Sequence, residues 1–169
     1  MKTECNLNDV FEVTNYKLKN SGLLLTTAGK DGTENVMTIG WGLIGRIWNE
    51  PVFMVCVRPS RHTFKLIEET NEFTVNVPSD TMDETAAYCG KVSGRDHDKF
   101  KERKLTTEKG RKVVSPIISE CIVHYECKVM GKTKVVPELL STEVKENHYP
   151  KGDYHTIYYG RLVSILRDK

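Results

Sequence analysis

Val52-Phe53-Met54-Val55-Cys56-Val57 runs directly into Arg58-Pro59-Ser60-Arg61-His62-Thr63, and this junction decides the interpretation of the fold. The first six residues are almost wholly apolar, which predicts a central β-strand opened by Pro51. Pro59 is expected to stop that strand. Ser60 is then the expected N-cap of a helix, because apolar residues follow it at helical spacing. The segment therefore predicts a strand that delivers the chain to the N-terminus of a helix.

The start of this predicted helix combines several kinds of anion-binding group. Free N–H groups in the first turn of a helix, together with the helix dipole, attract an anion. Ser60 and Thr63 add hydroxyl donors. Arg61 offers a planar fork suited to phosphate oxygens, and Arg58 lies just outside the cap. Positive charge on Arg61 or His62 interacts unfavourably with the helix dipole unless an anion is present. Two interpretations stay open here: a monophosphate site, or a plain helix cap with solvated charges.

A second segment, Met37-Thr38-Ile39-Gly40-Trp41, carries a predicted strand to an indole flanked by Gly40 and Gly42. Glycines let a backbone come close to a flat ligand, and exposed amides at such a place can bond the edge of a heteroaromatic ring. The alternative is a strand that simply ends on a core tryptophan.

A third segment, from Cys89 to Phe100, contains two glycines, alternating charges and a closing aromatic residue. Ser93-Gly94-Arg95 can form a turn with exposed amides, and either Arg95 or Lys99 can reach a phosphate. The alternative is a solvated charged loop. Cys89 is not expected to act as a nucleophile, because no base can be assigned to it.

The pattern of the whole chain is that of a mainly β protein. The predicted strands are 23–27, 35–39, 52–57, 73–77, 121–130, 138–144 and 156–166, the first two forming a hairpin. The predicted helices are one ended by Asn71-Glu72, one capped by Ser79 or Asp80 and ended by Gly90, and a single turn near 98–102. Gly40-Trp41-Gly42 is expected to be a flexible exit, and Gly131-Lys132 a break between strands.

Many strands with few short helices favour a β-barrel with helices packed on it over a parallel α/β sheet. The barrel is expected to be closed or partly closed. A single domain over residues 1–169 is expected, because the chain shows no repeat, linker or low-complexity tract.

Composition narrows the classes of partner. Lys+Arg 25 against Asp+Glu 23 gives a net charge of +2, which removes the main argument for nucleic acid or an anionic membrane. No apolar run approaches the length of about 20 residues that a membrane-spanning helix needs. The five cysteines form no Cys-x-x-Cys pair, and no secretion signal is evident, so reduced thiols in a cytoplasmic protein are expected. His148 and His155 lack a third ligand, so no metal site is predicted.

Taken together, the segments resemble the flavin reductase-like family with the FMN-binding split-barrel fold, which includes flavoredoxins and archaeal ferric reductases. The resemblance covers roughly residues 23–166. The residues that carry it are 35–41, 58–63, 72–78, Cys89-Gly90, 93–96, 98–100 and 159–163. No one of these segments is specific, whereas their order and spacing together are.

The resemblance implies a homodimeric split barrel that binds FMN. By analogy, Met37, Thr38, Ile39, Gly40 and Trp41 would lie along the isoalloxazine, and Ser60, Arg61, His62 and Thr63, with Arg58 nearby, would surround the phosphate. Asn76, Ser93, Gly94 and Arg95 would border the ribityl chain or the ring, and Lys99 with Phe100 would close the site. No side chain is expected to act as a catalytic acid or base, because a flavin carries the redox chemistry itself.

Three functions stay open on this basis. The first is a reductase that passes electrons from NADH or NADPH through FMN to free flavin, ferric iron or a protein acceptor. The second is an FMN-containing electron carrier that does not oxidise NAD(P)H directly. The third is a binding module that uses the same corner for another phosphorylated ligand.

Overall fold

The structure is a computed structural model and describes residues 1–168. Its strands are β1 (Lys2–Glu4), β2 (Leu23–Ala28), β3 (Glu34–Ile39), β4 (Gly42–Ile47), β5 (Glu50–Val57), β6 (Glu72–Pro78), β7 (Thr107–Glu108), β8 (Ile117–Ile118), β9 (Cys121–Lys134) and β10 (Thr156–Asp168). Its helices are α1 (Phe11–Asn20), α2 (His62–Thr70), α3 (Asp83–Lys91), α4 (Lys99–Glu102) and α5 (Thr142–His148).

Eight of the strands form one antiparallel sheet. Its order is β3-β2-β6-β9-β10-β5-β4, and β1 adds to β10. The sheet curls around a core but does not close, because its end strands β3 and β4 are not hydrogen-bonded to each other. The expectation of a mainly β, partly closed barrel with a few packed helices is therefore confirmed. In the described part of the chain, no helix is long and apolar enough to cross a membrane.

The core lies inside the curled sheet and is built from the inward-facing residues of its long strands. Phe53 and Tyr125 are fully buried there and meet edge to face, with ring centroids 5.3 Å apart. Gly160 of β10 allows this packing, because a Cβ at that position would come within 2.3 Å of the ring of Phe73. The hairpin predicted at 23–27 and 35–39 is confirmed as β2 and β3.

Two predictions for the C-terminal third of the chain are wrong. Residues 138–144, expected to form a strand, instead form the 3-10 turn Pro137–Leu139 and the start of α5. The side chain of Ser141 caps α5 by accepting a hydrogen bond from the backbone N–H of Val144 at 3.3 Å. Gly131-Lys132 does not separate strands either, since β9 continues to Lys134 through a register shift opposite β10.

The segment after Trp41 is also more ordered than expected. Gly42 begins β4, which pairs with β5 through a two-residue turn at Trp48 and Asn49. Both turn residues have positive φ, at 52° and 62°, as that kind of hairpin requires. A Cβ on Gly42 would lie 2.8 Å from the carbonyl oxygen of Met54, so the close pairing of the strands requires glycine here.

The second helix has slightly different bounds from those predicted. A 3-10 turn covers Asp80–Met82, α3 begins at Asp83, and the helix passes Gly90 to end at Lys91. The single helical turn expected near 98–102 is confirmed as α4.

Candidate functional site

The end of the edge strand β3 forms one wall of a cavity of about 180 Å³, here called the aromatic compartment. Its lining residues come from β3, the segment that follows it, β5, the start of α2 and the residue before β10: Met37, Thr38, Ile39, Gly40, Trp41, Cys56, Arg58, Arg61 and His155. The whole stretch 37–41 singled out in the sequence therefore lines one cavity. A Cβ built on Gly40 would meet nothing within 4 Å, so the backbone there faces open space.

Aromatic side chains hold Trp41 in place. Its ring centroid lies 4.9 Å from that of His155 and 5.0 Å from that of His148, and its side chain keeps 42% of its surface exposed. Trp41 is thus a half-exposed wall of the cavity and not a core residue. Nδ1 of His155 lies 2.8 Å from the hydroxyl of Tyr149. Burial, with a contribution from the charge of Arg58, lowers the pKa of His155 to about 4, so its ring is neutral at pH 7.

A second cavity of about 120 Å³, here called the cationic corner, adjoins the first and shares Met37 and Arg61 with it. It lies where the start of α2 meets the loop after α3. Its lining residues are Asn35, Met37, Ser60, Arg61, His62, Thr63, Cys89, Val92, Ser93, Gly94, Arg95 and Lys99. The structure thus brings together two segments that are about 30 positions apart in the sequence.

The helix start differs from the prediction in one respect. Arg61, not Ser60, occupies the N-cap of α2, and no side chain caps the helix. The hydroxyl of Ser60 instead donates to the carboxylate of Asp153 at 2.5 Å, and its backbone N–H donates to the same carboxylate at 3.3 Å. The first N–H groups of α2 consequently have no capping side chain.

The loop after α3 closes the corner from the other side. Nη1 of Arg95 donates to the carbonyl oxygen of Ser60 at 2.8 Å. Gly94 lies against Asn35, and a Cβ on this glycine would fall 1.9 Å from the Oδ1 atom of Asn35. The amide of Asn35 in turn donates to the hydroxyl of Thr63 at 2.7 Å. Loop, strand and helix are therefore locked together around the corner.

The electrostatics of the corner favour an anion. Lys99 is 3% exposed and donates to the carbonyl oxygens of Cys89 and Val92. Burial lowers its pKa to about 8, and the nearby charge of Arg61 acts in the same direction. The pKa of His62 is lowered by burial and then by the charge of Arg95. A bound anion would raise both pKa values again and so favour the protonated forms of Lys99 and His62.

Three predicted site residues lie elsewhere or have other partners. Asn76 is fully buried and lines neither cavity. Its side-chain nitrogen donates hydrogen bonds to the carbonyl oxygen of Leu24 and the hydroxyl of Thr26. Its side-chain oxygen accepts a hydrogen bond from the backbone N–H of Ile118 and lies within hydrogen-bond distance of His124. Arg58 borders the aromatic compartment, but its guanidinium donates to the carbonyl oxygens of His148, Gly152 and Asp153. Phe100 lines a separate, outer cavity next to the corner.

Sequence reasoning did not single out Asn35 and Cys56 as site residues, although both line the site. Asn35 begins the motif 35–41 and is 4% exposed, and its polarity beside the apolar Val36 and Met37 was the available signal. Cys56 alternates with inward-facing Val55 and Val57, and this alternation places it on the cavity side of β5. Burial raises the pKa of the thiols of Cys56 and Cys89, which agrees with inert side chains.

The arrangement can hold a ligand with a flat ring at one end and a phosphate at the other. Within residues 1–168, no group of three or more His, Cys, Asp or Glu side chains is placed to bind a metal ion. All five cysteines are free thiols.

Comparisons with known proteins agree with this geometry. The family described as "Flavin reductase like domain" matches residues 17–169. An uncharacterized protein of Archaeoglobus fulgidus is 28% identical over 131 residues, which cover 78% of this chain and 64% of that protein, so the chain spans less than two thirds of this relative's length.

Solved structures show the same fold. Flavoredoxin of Desulfovibrio vulgaris (Miyazaki F) superposes with a TM-score of 0.70 at 25% identity, covering 88% of this chain and 69% of that one. An FMN-binding domain of a flavin reductases-like enzyme from Shewanella baltica superposes with a TM-score of 0.69 at 16% identity, covering 99% of this chain and 78% of that one. The fold is the FMN-binding split barrel.

Proposed function

Because this chain belongs to the flavin reductase-like family, we propose that it is an FMN-binding oxidoreductase that passes electrons from NADH or NADPH to a further acceptor. The acceptor is free flavin, ferric iron or a protein. FMN is the cofactor that the structural neighbours support.

One observation carries the proposal: the aromatic compartment and the cationic corner lie side by side. They share Met37 and Arg61. A flat apolar ring and a phosphate joined by a short polar chain need such a pair of compartments side by side. An ordinary phosphate-binding module would need only the corner.

The residues present fit FMN. We place its phosphate in the cationic corner, against the uncapped N–H groups of α2 and the side chains of Arg61, Thr63 and Arg95. We place its ring in the aromatic compartment, along the backbone of residues 37–41, where Gly40 leaves open space. Ser60 and Lys99 complete the phosphate site, and Arg58 acts indirectly, by holding the segment at 148–153 against the compartment.

FMN, when bound, supplies hydride and single-electron transfer, while the protein supplies position and electrostatics. Trp41 and His155 shield one end of the compartment from water, and the neutral ring of His155 leaves no positive charge of its own there. Arg61 lies between the two compartments, so it can bind phosphate and lend positive potential to the ring. No side chain is assigned the role of proton donor.

A second function is favoured by the likeness to a flavoredoxin at 25% identity. In that case the protein is an electron carrier that holds FMN and exchanges electrons with protein partners only. Both functions use the same site and differ in whether a nicotinamide nucleotide reduces the flavin directly.

Stopped-flow mixing separates the two. Protein reconstituted with FMN is mixed anaerobically with NADH and, separately, with NADPH, while flavin absorbance near 450 nm is followed. Bleaching by either nucleotide supports the reductase. A flavin that binds but is bleached only by a chemical reductant such as dithionite supports the carrier. Failure to bind FMN at all would refute both.

We also propose that the protein is a cytoplasmic homodimer. The edge strand β4 and its turn expose large apolar side chains, with Leu43 66% and Trp48 62% exposed. Such a strip on an unpaired sheet edge suits association with a second copy of the chain. The five free thiols are typical of a reducing compartment.

A further inference from the structure

The loop at residues 93–97, which closes the cationic corner, is held at two places. On the corner side, Nη1 of Arg95 donates to the carbonyl oxygen of Ser60 at 2.8 Å. At the other end of the loop, the side chain of His97 contacts residues of α3 and α4. A turn joins the two places, since the backbone N–H of His97 donates to the carbonyl oxygen of Ser93 at 3.1 Å. The contacts of His97 can therefore affect how the loop lies on the corner.

Tyr88 of α3, His97 of the loop and Glu102 of α4 form a cluster of titratable side chains, here called the latch. Nδ1 of His97 lies 3.2 Å and 3.3 Å from the two carboxylate oxygens of Glu102, and 3.3 Å from the hydroxyl oxygen of Tyr88. The hydroxyl of Tyr88 also donates a hydrogen bond to the carboxylate of Glu102. The latch thus joins α3, the loop and α4.

Every oxygen atom around Nδ1 of His97 is a hydrogen-bond acceptor. The hydrogen bond between Tyr88 and Glu102 lowers the pKa of the Glu102 carboxyl and raises the pKa of the Tyr88 hydroxyl. An ionised carboxylate only accepts, and the proton of the Tyr88 hydroxyl is already donated to Glu102. Nδ1 must therefore carry a proton to bond either group. A neutral histidine ring does so in only one of its two tautomers, whereas a protonated ring always does.

Other charged side chains lie near the latch without taking its place. Those from α3, from the loop and from the end of α4 are Glu84, Asp96, Asp98 and Arg103. Lys99 of α4 lines the corner instead. Within residues 1–168, none of these groups is hydrogen-bonded to the side chain of His97. Glu102 is therefore the group that responds directly to a charge on His97.

From this geometry we propose that the latch positions the loop at 93–97 on the cationic corner and tightens when His97 is protonated, so that it strengthens phosphate binding as the pH falls. Tyr88, His97 and Glu102 are positioning residues, because they act on the ligand only through the loop. Protonated His97 gains the carboxylate as an ionic partner, so this contribution is present at low pH and is lost as the pH rises through the range of about 5 to 8 in which histidine changes charge. The proposal rests on the proposed function, because it takes the phosphate to be that of FMN.

The test is fluorescence titration of apo-protein with FMN at about pH 5.5 and about pH 8, the two ends of the range in which histidine titrates. Wild-type protein is compared with His97→Gln and Glu102→Gln. The FMN phosphate and the side chains of His62 and Lys99 also titrate near this range. They are common to all three proteins, so the effect is measured as the ratio of wild-type to variant affinity at each pH.

We expect this ratio to be about two- to fivefold higher at the lower pH for each variant, the effect of one exposed ion pair. The double variant should show no larger change than either single variant, because both substitutions break the same contact. Asp96→Asn is the matched control, since it removes a negative charge next to His97 and leaves the latch intact. It should keep the pH dependence of the wild type. If it loses that dependence as the latch variants do, the general charge of the loop is responsible and the proposal is overturned.

Hydrogen exchange of the apo-protein tests the position of the loop without any ligand. The backbone N–H of Asp96 donates to the carbonyl oxygen of Ser93 at 3.2 Å, so its exchange rate reports on the loop. At the lower pH it should exchange faster in both latch variants than in wild type.

The outcomes separate the latch from the proposed function. If wild-type protein binds no FMN, the proposed function fails, and hydrogen exchange alone decides whether the latch holds the loop. If FMN binds and neither latch variant changes the pH dependence of its affinity, this inference alone is overturned. Unchanged exchange of the Asp96 N–H in both variants would overturn it as well.

Discussion

Arg61 is the residue whose removal should most clearly separate binding of the phosphate from binding of the ring. Its guanidinium lines both compartments, and within residues 1–168 it makes one side-chain hydrogen bond, to the carbonyl oxygen of Gly90 at 3.3 Å. Most of its five N–H donors are thus free to meet a phosphate. Hydrogen bonds to charged groups contribute about 1.5–3 kcal/mol. We therefore expect Arg61→Ala to weaken FMN binding by about 10- to 150-fold.

The assay is fluorescence titration of apo-protein with FMN and with riboflavin, which lacks the phosphate. Riboflavin affinity should fall far less than FMN affinity in Arg61→Ala. Arg46→Ala is the matched control, because Arg46 is an exposed arginine on β4 that lines neither compartment. Equal losses for both flavins would show that Arg61 supports the fold of the site and not the phosphate. An unchanged FMN affinity would place the phosphate elsewhere.

Three further predictions follow from other contacts. Asp153→Ala removes the carboxylate that binds the Ser60 hydroxyl and should tighten FMN binding by about fivefold, which corresponds to about 1 kcal/mol of lost repulsion between this carboxylate and the phosphate. Riboflavin binding should not change in the same titration. A weaker FMN complex would mean that Asp153 instead orients Ser60. Burial lowers the pKa of His124 to about 3, so the unfolded chain binds a proton below pH 6.5 that the folded chain does not. His124 should therefore lower the free energy of unfolding by about 2 kcal/mol between pH 8 and pH 5. Chemical denaturation of His124→Gln should show a free energy of unfolding that depends less steeply on pH. An identical pH dependence in the two proteins would contradict a lowered pKa of His124. Leu43→Lys should convert a dimer to a monomer in light scattering, and a wild-type monomer would refute the proposed association.

Local signals in the sequence were sufficient where neighbouring residues decide the structure. The alternation of β6, the apolar run of β5 and the turn between β2 and β3 all correspond to the observed elements. Asn71 ends α2, as the sequence predicted, and it adopts the left-handed conformation because a short polar side chain tolerates a φ of 56°. Such features depend on backbone preferences within a few residues.

The predictions that failed depended on distant partners. Residues 138–144 are the exception, because local signals explain their structure: Pro137 begins the 3-10 turn and the side chain of Ser141 caps α5. Asn76 was assigned to the ligand by analogy, yet the fold turns its amide toward His124 and the β7–β8 segment. Ser60 was expected to cap the helix, but Asp153, 93 positions later, takes its hydroxyl.

The sequence by itself determined the mainly β class, the order of the ligand-binding segments and the cationic character of the strand-to-helix junction at 58–63. Only the tertiary structure decided that residues 37–41 lie beside that junction and that the carboxylate of Asp153 accepts the hydrogen bond of the Ser60 hydroxyl. The physical reason is that charge and periodicity are properties of short segments. Cavities and long-range hydrogen bonds arise only when the sheet curls and brings its end strands and their loops together.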